Sequence, residues 1–188
     1  HLNFGVGCWK YAAGTLRSKL AKLSGYYGFS PDKLENLRGH HLPVRRPGTT
    51  IADGPVIAVG DAAGLVDPLS GEGIHMAFGS ANLASSAISA YLNGEKDDLS
   101  SYQRNVDVLL QPELIASRKL QEVFHFAPPP YMAAMRSSRR FWRLFCNIVR
   151  GETTYSDFLG RLGPANVLLD FFANIAQGRR SSKLRQLV

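Results

Sequence analysis

Cysteine is scarce in this sequence, and long apolar runs are missing from it. The 188 residues include 2 cysteines, Cys8 and Cys146, whose wide separation fits a reducing compartment better than a disulfide scaffold. We interpret both as ordinary buried thiols. Charged or amide side chains interrupt each apolar stretch before it reaches the roughly 18 residues that a membrane-spanning helix requires. The sequence therefore predicts a cytoplasmic protein that does not cross a bilayer.

Two further patterns are missing from the chain. His1, His40, His41 and His125 have no partner at the spacing of metal ligands, so we predict no metal site. The first residues show no basic leader and no apolar signal region. Residues 2–9 instead place apolar side chains at alternate positions, which is typical of a half-buried strand. We interpret the chain as a fragment entered in the middle of a longer protein.

The positive charge is distributed unevenly. The net charge is +7, which would suit nucleic acid, an anionic membrane or an anionic substrate. No Lys or Arg occurs between Asp53 and Glu95, whereas residues 136–150 and 179–185 are strongly basic. The arginines are scattered and belong to no recognition motif, so we do not expect nucleic acid as a partner.

Apolar periodicity predicts a mainly helical chain with a few strands. The run 56–59 is short and fully apolar, which is typical of a buried parallel strand, and 40–46 is a second candidate strand. Helical spacing covers several further ranges, and the prolines at 128–130 are expected to end a helix. The predicted helices are 12–23, 74–92, 99–110, 113–126, 131–150, 155–162 and 164–177.

The residues that suggest chemistry follow the run 56–59 and read GDAAGLVDPLSGEGI, positions 60–74. A carboxylate at the end of a strand, here Asp61, can accept hydrogen bonds from sugar-type hydroxyls. Gly71 and Gly73 leave room for a flat ring to approach the backbone. The unpaired N–H groups at the helix start, at Gly73 and Ile74, favour an anion or an electron-rich carbonyl. The segment therefore predicts a cofactor crevice.

Several residues of this segment have an ordinary structural explanation beside the functional one. A carboxylate such as Asp61 often caps a turn or a helix. For Asp67 and Glu72, capping and direct contact with a cofactor are equally open. His75 could face the ligand or solvent, and a role as catalytic acid is the less favoured explanation because proton-transfer geometry cannot be read from sequence.

The segment resembles the second FAD-binding motif of the para-hydroxybenzoate hydroxylase superfamily, in a form, GDAAGxxxPLxGEGI, that is similar to that of the geranylgeranyl reductase family. Residues 3–7 (NFGVG) and 151–157 (GETTYSD) resemble two further segments of that family. The resemblance implies that Asp61 binds the ribityl chain and that the glycine-rich turn lies along the isoalloxazine ring. The implied cofactor-binding residues are Gly60, Asp61, Ala62, Pro68, Gly71, Glu72, Gly73 and Ile74.

The resemblance also implies a fold and an activity. The expected fold is α/β, with part of an FAD-binding, Rossmann-like domain of the para-hydroxybenzoate hydroxylase type in 1–94 and a helical carboxy-terminal region in 95–188. The expected activity is reduction of C=C bonds in geranylgeranyl or other isoprenoid chains, with FAD as cofactor and NADPH or another electron donor. The G-x-G-x-x-G turn that holds the ADP half of FAD is missing, so we expect this chain alone to be inactive. The catalytic residues, including the proton source, are not identified.

Two other functions stay open. One is a flavin-dependent monooxygenase or halogenase, which shares the motif but uses oxygen. The other is a non-enzymatic, basic helical module that binds membranes. On a helical wheel of 131–150, Arg136, Arg139, Arg140, Arg143 and Arg150 lie on one side and Phe141, Trp142, Leu144, Phe145, Ile148 and Val149 on the other. This pattern fits a solvated face over a core, and also a surface that contacts anionic head groups of a membrane. The aromatic residues could instead line a tunnel for a hydrophobic substrate.

Overall fold

The structure is a computed structural model and describes residues 2–8, 10–161, 163, 169–171, 173–175 and 178. The chain divides into two compact units. One comprises His1–His41 with Gly178–Val188, and the other comprises Leu42–Gln177. The glycine-rich segment 60–74 lies within the second unit.

The described residues before His41 in the first unit contain one α-helix. A 3-10 helix, Lys10–Thr15, leads into α1, Leu16–Tyr26, which confirms the helix predicted over 12–23. Residues 2–8 form no strand, so the strand predicted over 2–9 is wrong for those positions. A strand needs a partner for its backbone N–H and C=O groups, and none pairs with residues 2–8 in the part of the chain that is described. Cys8 is exposed, which corrects its interpretation as a buried thiol, and Cys146 is half-buried.

The second unit contains a small antiparallel hairpin. Strands β1, Ala52–Asp53, and β2, Val56–Ile57, pair with Ala52 opposite Ile57. The buried parallel strand predicted over 56–59 is therefore wrong. A two-residue connection, Gly54 and Pro55, can join only antiparallel neighbours, and the side chain of Val56 is 68% exposed. Of the strand predicted over 40–46, Val44 alone forms a bridge, to Leu65.

Six α-helices with defined bounds follow between residues 74 and 161, most of them near their predicted positions. The helices predicted over 74–92, 99–110 and 113–126 are confirmed. The helix predicted over 155–162 is confirmed as far as Arg161, and position 162 lies outside the described residues. Pro112 lies in the first turn of α4, where its missing N–H is not needed. The helices are α2, Ile74–Leu92; α3, Ser100–Leu109; α4, Gln111–Phe126; α5, Pro128–Ser137; α6, Arg139–Val149; and α7, Tyr155–Arg161.

The prediction of a single helix over 131–150 is wrong, because the helix is interrupted at Ser138. The backbone of Ser138 is extended, and its hydroxyl accepts a hydrogen bond of 3.2 Å from the N–H of Phe141, which caps α6. As predicted, a helix ends just before the prolines at 128–130, since α4 stops at Phe126. The same prolines also begin α5, because proline suits a first turn. The predicted apolar side of the wheel is also only partly packed: Trp142 is 52% exposed and Val149 is 70% exposed.

Two helices and the glycine-rich segment share the main core. Leu65, Tyr102 and Val106 are fully buried there, and the Tyr102 hydroxyl donates a 2.7 Å hydrogen bond to the carbonyl of Ala58. Helices α2 and α3, which precede and follow Gly94 in the sequence, pack against each other. A second cluster joins α4 to α7 through Leu120 and Phe158, among others.

Parts of the predictions lie outside what the structure describes or can decide. Of the helix predicted over 164–177, residues 169–171 and 173–175 are helical, and the rest of that range and the basic residues 179–188 lie outside the described residues. A mostly helical chain with a two-stranded sheet in its described part neither supports nor opposes a fragment of a Rossmann-like domain. The α/β fold and the division at 94 therefore stay predictions. No described helix is long and apolar enough to span a bilayer.

Candidate functional site

The beginning of the glycine-rich segment is fixed against helix α2. Residues Gly60–Ala63 form a short 3-10 helix. The N–H of Gly60 donates a 3.0 Å hydrogen bond to the hydroxyl of Ser80. A β-carbon on Gly60 would lie 3.1 Å from that of Ala77, so glycine permits this close approach. The 3-10 helix therefore has a defined position relative to the start of α2.

Gly64 ends this 3-10 helix and lies against a buried arginine. Its φ is +70°, and a β-carbon there would lie 2.8 Å from the backbone nitrogen of Arg45. The N–H of Arg45 donates to the carbonyl of Gly64 over 2.8 Å. The buried guanidinium binds the Asp107 carboxylate at 2.7 Å and the Gln111 side chain. The segment is thereby held to α3 and α4.

The Asp61 carboxylate lies directly beside Gly73, at the start of α2. A β-carbon on Gly73 would stand 2.9 Å from Oδ1 of Asp61. That distance is shorter than real β-carbons tolerate, so any other residue at position 73 would displace the carboxylate. Asp61 is exposed and Gly73 is half-buried. The two ends of the motif thus meet around one accessible carboxylate.

Glu72 caps helix α2. Its Oε1 accepts hydrogen bonds from the N–H of Ile74 at 2.7 Å and from the N–H of His75 at 3.3 Å. A carboxylate there is favoured by the positive end of the helix dipole. The N–H of Ile74, which we expected to face a ligand, is thus already bound within the protein. A ligand could reach it only after the exposed Glu72 side chain moves away.

Asp67 holds the centre of the turn. It is 8% exposed, and its Oδ1 accepts hydrogen bonds from the N–H of Leu69 at 2.8 Å, the N–H of Ser70 at 2.9 Å and the hydroxyl of Ser117 at 2.7 Å. Of the two open explanations for Asp67, the geometry favours the structural one. The Asp67 side chain therefore holds the turn on its buried side and does not face the solvent.

Tyr155, in the later segment 151–157, contacts the same carboxylate. Burial, the negative charge of Asp67 and a hydrogen bond to it raise the pKa of the Tyr155 hydroxyl. Glu113 of α4 accepts hydrogen bonds from the N–H of Tyr155 at 2.8 Å and of Ser156 at 3.2 Å, which fixes the start of α7. The glycine-rich segment and the segment 151–157 therefore meet in the structure.

Sequence reasoning missed the contribution of helix α4. Glu113, Ser117 and Gln121 all contact one of the two segments, and the Gln121 side chain donates to the carbonyl of Pro68. They are spaced four residues apart and so lie on one helical face. Polar residues at that four-residue spacing on one face of the helix were the available signal.

The expected cofactor residues divide into a buried and an exposed group. Gly60 and Pro68 are buried, and Gly73 is half-buried. The exposed members are Asp61, Ala62, Gly71, Glu72 and Ile74. Gly71 has a φ of +75°, and the one atom close to its β-carbon position is Cδ1 of Leu42 at 3.9 Å. The exposed group is therefore accessible to a ligand. His75 is exposed beside it, and no cluster of metal-ligating side chains occurs among the described residues.

Comparisons of the chain with protein-family models, curated proteins and solved structures give no match. Any functional assignment therefore depends on the motif and on the geometry described above.

Proposed function

We propose that this chain holds the isoalloxazine and ribityl part of FAD in an FAD-dependent oxidoreductase. The observation that carries the proposal is the close approach of the Asp61 carboxylate to Gly73, because one shared requirement for space explains both the acid and the glycine of the motif. The adenosine half of the cofactor would be bound by residues outside this sequence.

The residues present fit such a cofactor in two respects. Asp61 offers an exposed acceptor for ribityl hydroxyls at the edge of the turn. Gly71 and Gly73 carry no side chain that would keep a flat ring from the backbone. The Glu72 cap limits a third feature, since the N–H groups of Ile74 and His75 become available to a ring carbonyl only if Glu72 gives them up.

The bound cofactor would supply hydride or electron transfer to a C=C bond. The chain's own contribution would be to position that cofactor. The glycine-rich turn is held in one conformation on its buried side by Asp67, Ser117 and Tyr155. Glu72 caps the first turn of helix α2. We propose an isoprenoid chain or another hydrophobic small molecule as substrate, and NADPH or another donor as the source of electrons.

Peripheral contact with a membrane surface is part of the proposal, because the substrate would be hydrophobic. It is supported by exposed Trp142 and Val149 on α6, which accompany exposed arginines on the same helix. Tryptophan with arginine is a common composition of helices that lie at a membrane interface.

The test uses the complete gene product that carries this chain. After purification, its flavin content is measured, and turnover with NADPH or a chemical reductant and an isoprenoid lipid is followed without oxygen. The proposal predicts a yellow protein that saturates C=C bonds under anaerobic conditions. Turnover that requires oxygen would instead indicate a monooxygenase or halogenase, and a protein that binds no FAD would contradict the proposal in all its forms.

A further inference from the structure

A groove between helices α6 and α7 combines positive charge with an apolar floor. Its volume is about 450 Å³, within the roughly 300–1,000 Å³ range of small-molecule sites. The groove belongs to the second unit and lies among residues that the flavin proposal does not use. Its main lining residues are Arg140, Arg143, Arg161, Phe141, Leu144 and Phe158.

The positive charge of the groove is not neutralised within the described residues. Arg140, Arg143 and Arg161 are exposed, and neither salt bridge found in the described part of the chain involves any of them. Three guanidinium groups therefore surround a space open to an anion.

The floor of the groove is apolar and well packed. Phe158 is 5% exposed, and its ring lies edge-on to that of Phe141 with 6.3 Å between the centroids. Leu144 is half-buried beside them. A ligand that fills this groove would place an apolar part against the rings and an anionic part among the arginines.

We propose that this groove binds the phosphate or diphosphate group of an amphiphilic small molecule or lipid. Arginine presents a planar fork of N–H donors that matches phosphate oxygens. Three guanidinium groups can balance more negative charge than the single charge of a carboxylate. A phosphate or diphosphate group is therefore the better match for this groove. The site does not require a flavin, and its failure would leave the proposed oxidoreductase function untouched.

Calorimetric titration of the complete gene product that carries this chain, with octyl phosphate kept below its micelle concentration, tests the site. The double variant Arg140→Gln, Arg143→Gln removes two charges from the groove. The matched control Arg139→Gln, Arg150→Gln removes two charges from the same helix and its cap, away from the groove lining. We expect saturable binding that weakens at least about tenfold in the groove variant and less than about twofold in the control.

Two results would overturn the proposal. Either equal weakening in both variants or no saturable binding by the parent chain would show a solvated basic surface instead of a site. Thermal unfolding of both variants checks that they are folded, and Arg161→Gln on α7 repeats the test from the other wall should the α6 variant fail to fold. If methyl phosphate binds as tightly as octyl phosphate, the apolar floor of the groove does not contribute to binding.

The two sources of the phosphoryl group are separated by vesicles that contain phosphatidic acid. Sedimentation of the parent and the control variant, but not of the groove variant, would identify a lipid head group. Binding of octyl phosphate without sedimentation would identify a soluble ligand. Both results support the groove as a phosphoryl site.

Discussion

The side chain of Tyr155 lies against the buried carboxylate of Asp67 and thereby joins helix α7 to the glycine-rich turn. Asp67 also accepts hydrogen bonds from two N–H groups of the turn and from Ser117 of α4. One carboxylate thus connects three parts of the chain that are far apart in sequence. Because a buried charge left without its donors is costly, this contact should matter for stability.

Tyr155→Phe should destabilise the protein by about 1–2 kcal/mol at neutral pH, because Asp67 loses a hydrogen-bond donor. The pKa of Tyr155 is raised above the ordinary value of 10.0, so the folded state holds its proton more tightly than the unfolded state. The stability is complete below pH 10 and falls as the pH rises above it. Chemical unfolding between pH 8 and 11 should show a shallower alkaline loss in the variant, by up to about 1.4 kcal/mol per pH unit.

Tyr91→Phe is the control for that experiment, since Tyr91 is 39% exposed on α2. The free energy of unfolding of this control should vary with pH as that of the parent protein does. An alkaline slope in Tyr155→Phe that equals the parent's would show that the proton on Tyr155 is not coupled to folding.

Asp107→Asn should also destabilise the protein, by about 1–2 kcal/mol, because the buried guanidinium of Arg45 loses its anionic partner. Burial alone would raise the pKa of Asp107, but hydrogen bonds from Gln103 and Arg45 and the charge of Arg45 lower it below the ordinary 3.8. The stabilisation is present above that value and is lost as the pH falls through the lower, folded-state value. Urea unfolding from pH 6 to pH 3 should therefore be less acid-sensitive in this variant than in the parent. The exposed Asp97→Asn provides the comparison, and equal acid sensitivity in all three proteins would argue against the ion pair.

Gly64→Ala and Gly94→Ala form a matched pair for the packing of the turn. Both glycines have a positive φ, of +70° and +73°, but a β-carbon on Gly64 meets the backbone of Arg45 at 2.8 Å, whereas nothing lies within 4 Å of one on Gly94. Strain in the left-handed region should cost each variant about 1–2 kcal/mol. Overlap with Arg45 should add about 1–3 kcal/mol for Gly64→Ala alone. Equal urea midpoints for the two variants would show that the backbone at Arg45 moves away from the added methyl group without loss of stability.

Much of the secondary structure was predictable, because it depends on local periodicity. Helix α2 has the bounds that its apolar spacing and Gly94 predict. The hairpin at 52–57 was missed because a short apolar run does not reveal the direction of its partner. The break at Ser138 was missed because its capping role depends on a local backbone conformation that periodicity does not report.

The candidate site was only partly predictable. The motif singled out Asp61, as an acid at the end of a strand, and Gly73, at a helix start. The structure instead places Asp61 in a 3-10 helix, and its approach to Gly73 depends on tertiary packing. Glu113, Ser117 and Gln121 belong to a helix about 50 residues away in sequence. Nothing local to the motif indicates that they complete it.

Gly73→Ala should weaken flavin binding without unfolding the protein, because the added methyl group would overlap Oδ1 of Asp61. Gly79→Ala is the matched control in the same helix, where the new β-carbon makes an ordinary 3.5 Å contact with Leu110. Flavin released on denaturation of the purified gene product measures occupancy. We expect a large loss for Gly73→Ala and none for Gly79→Ala. Parallel losses in both would indicate a general effect on α2 instead.

Asp61→Ala in the complete gene product tests the central claim most directly, by comparison of bound FAD per protein in the parent and the variant. Asp61 is exposed, and its side chain is not part of the core, so the variant should fold with an unchanged unfolding midpoint. The account predicts a yellow parent and a variant that purifies colourless and regains little flavin when FAD is added. A variant that stays as yellow as the parent would contradict it.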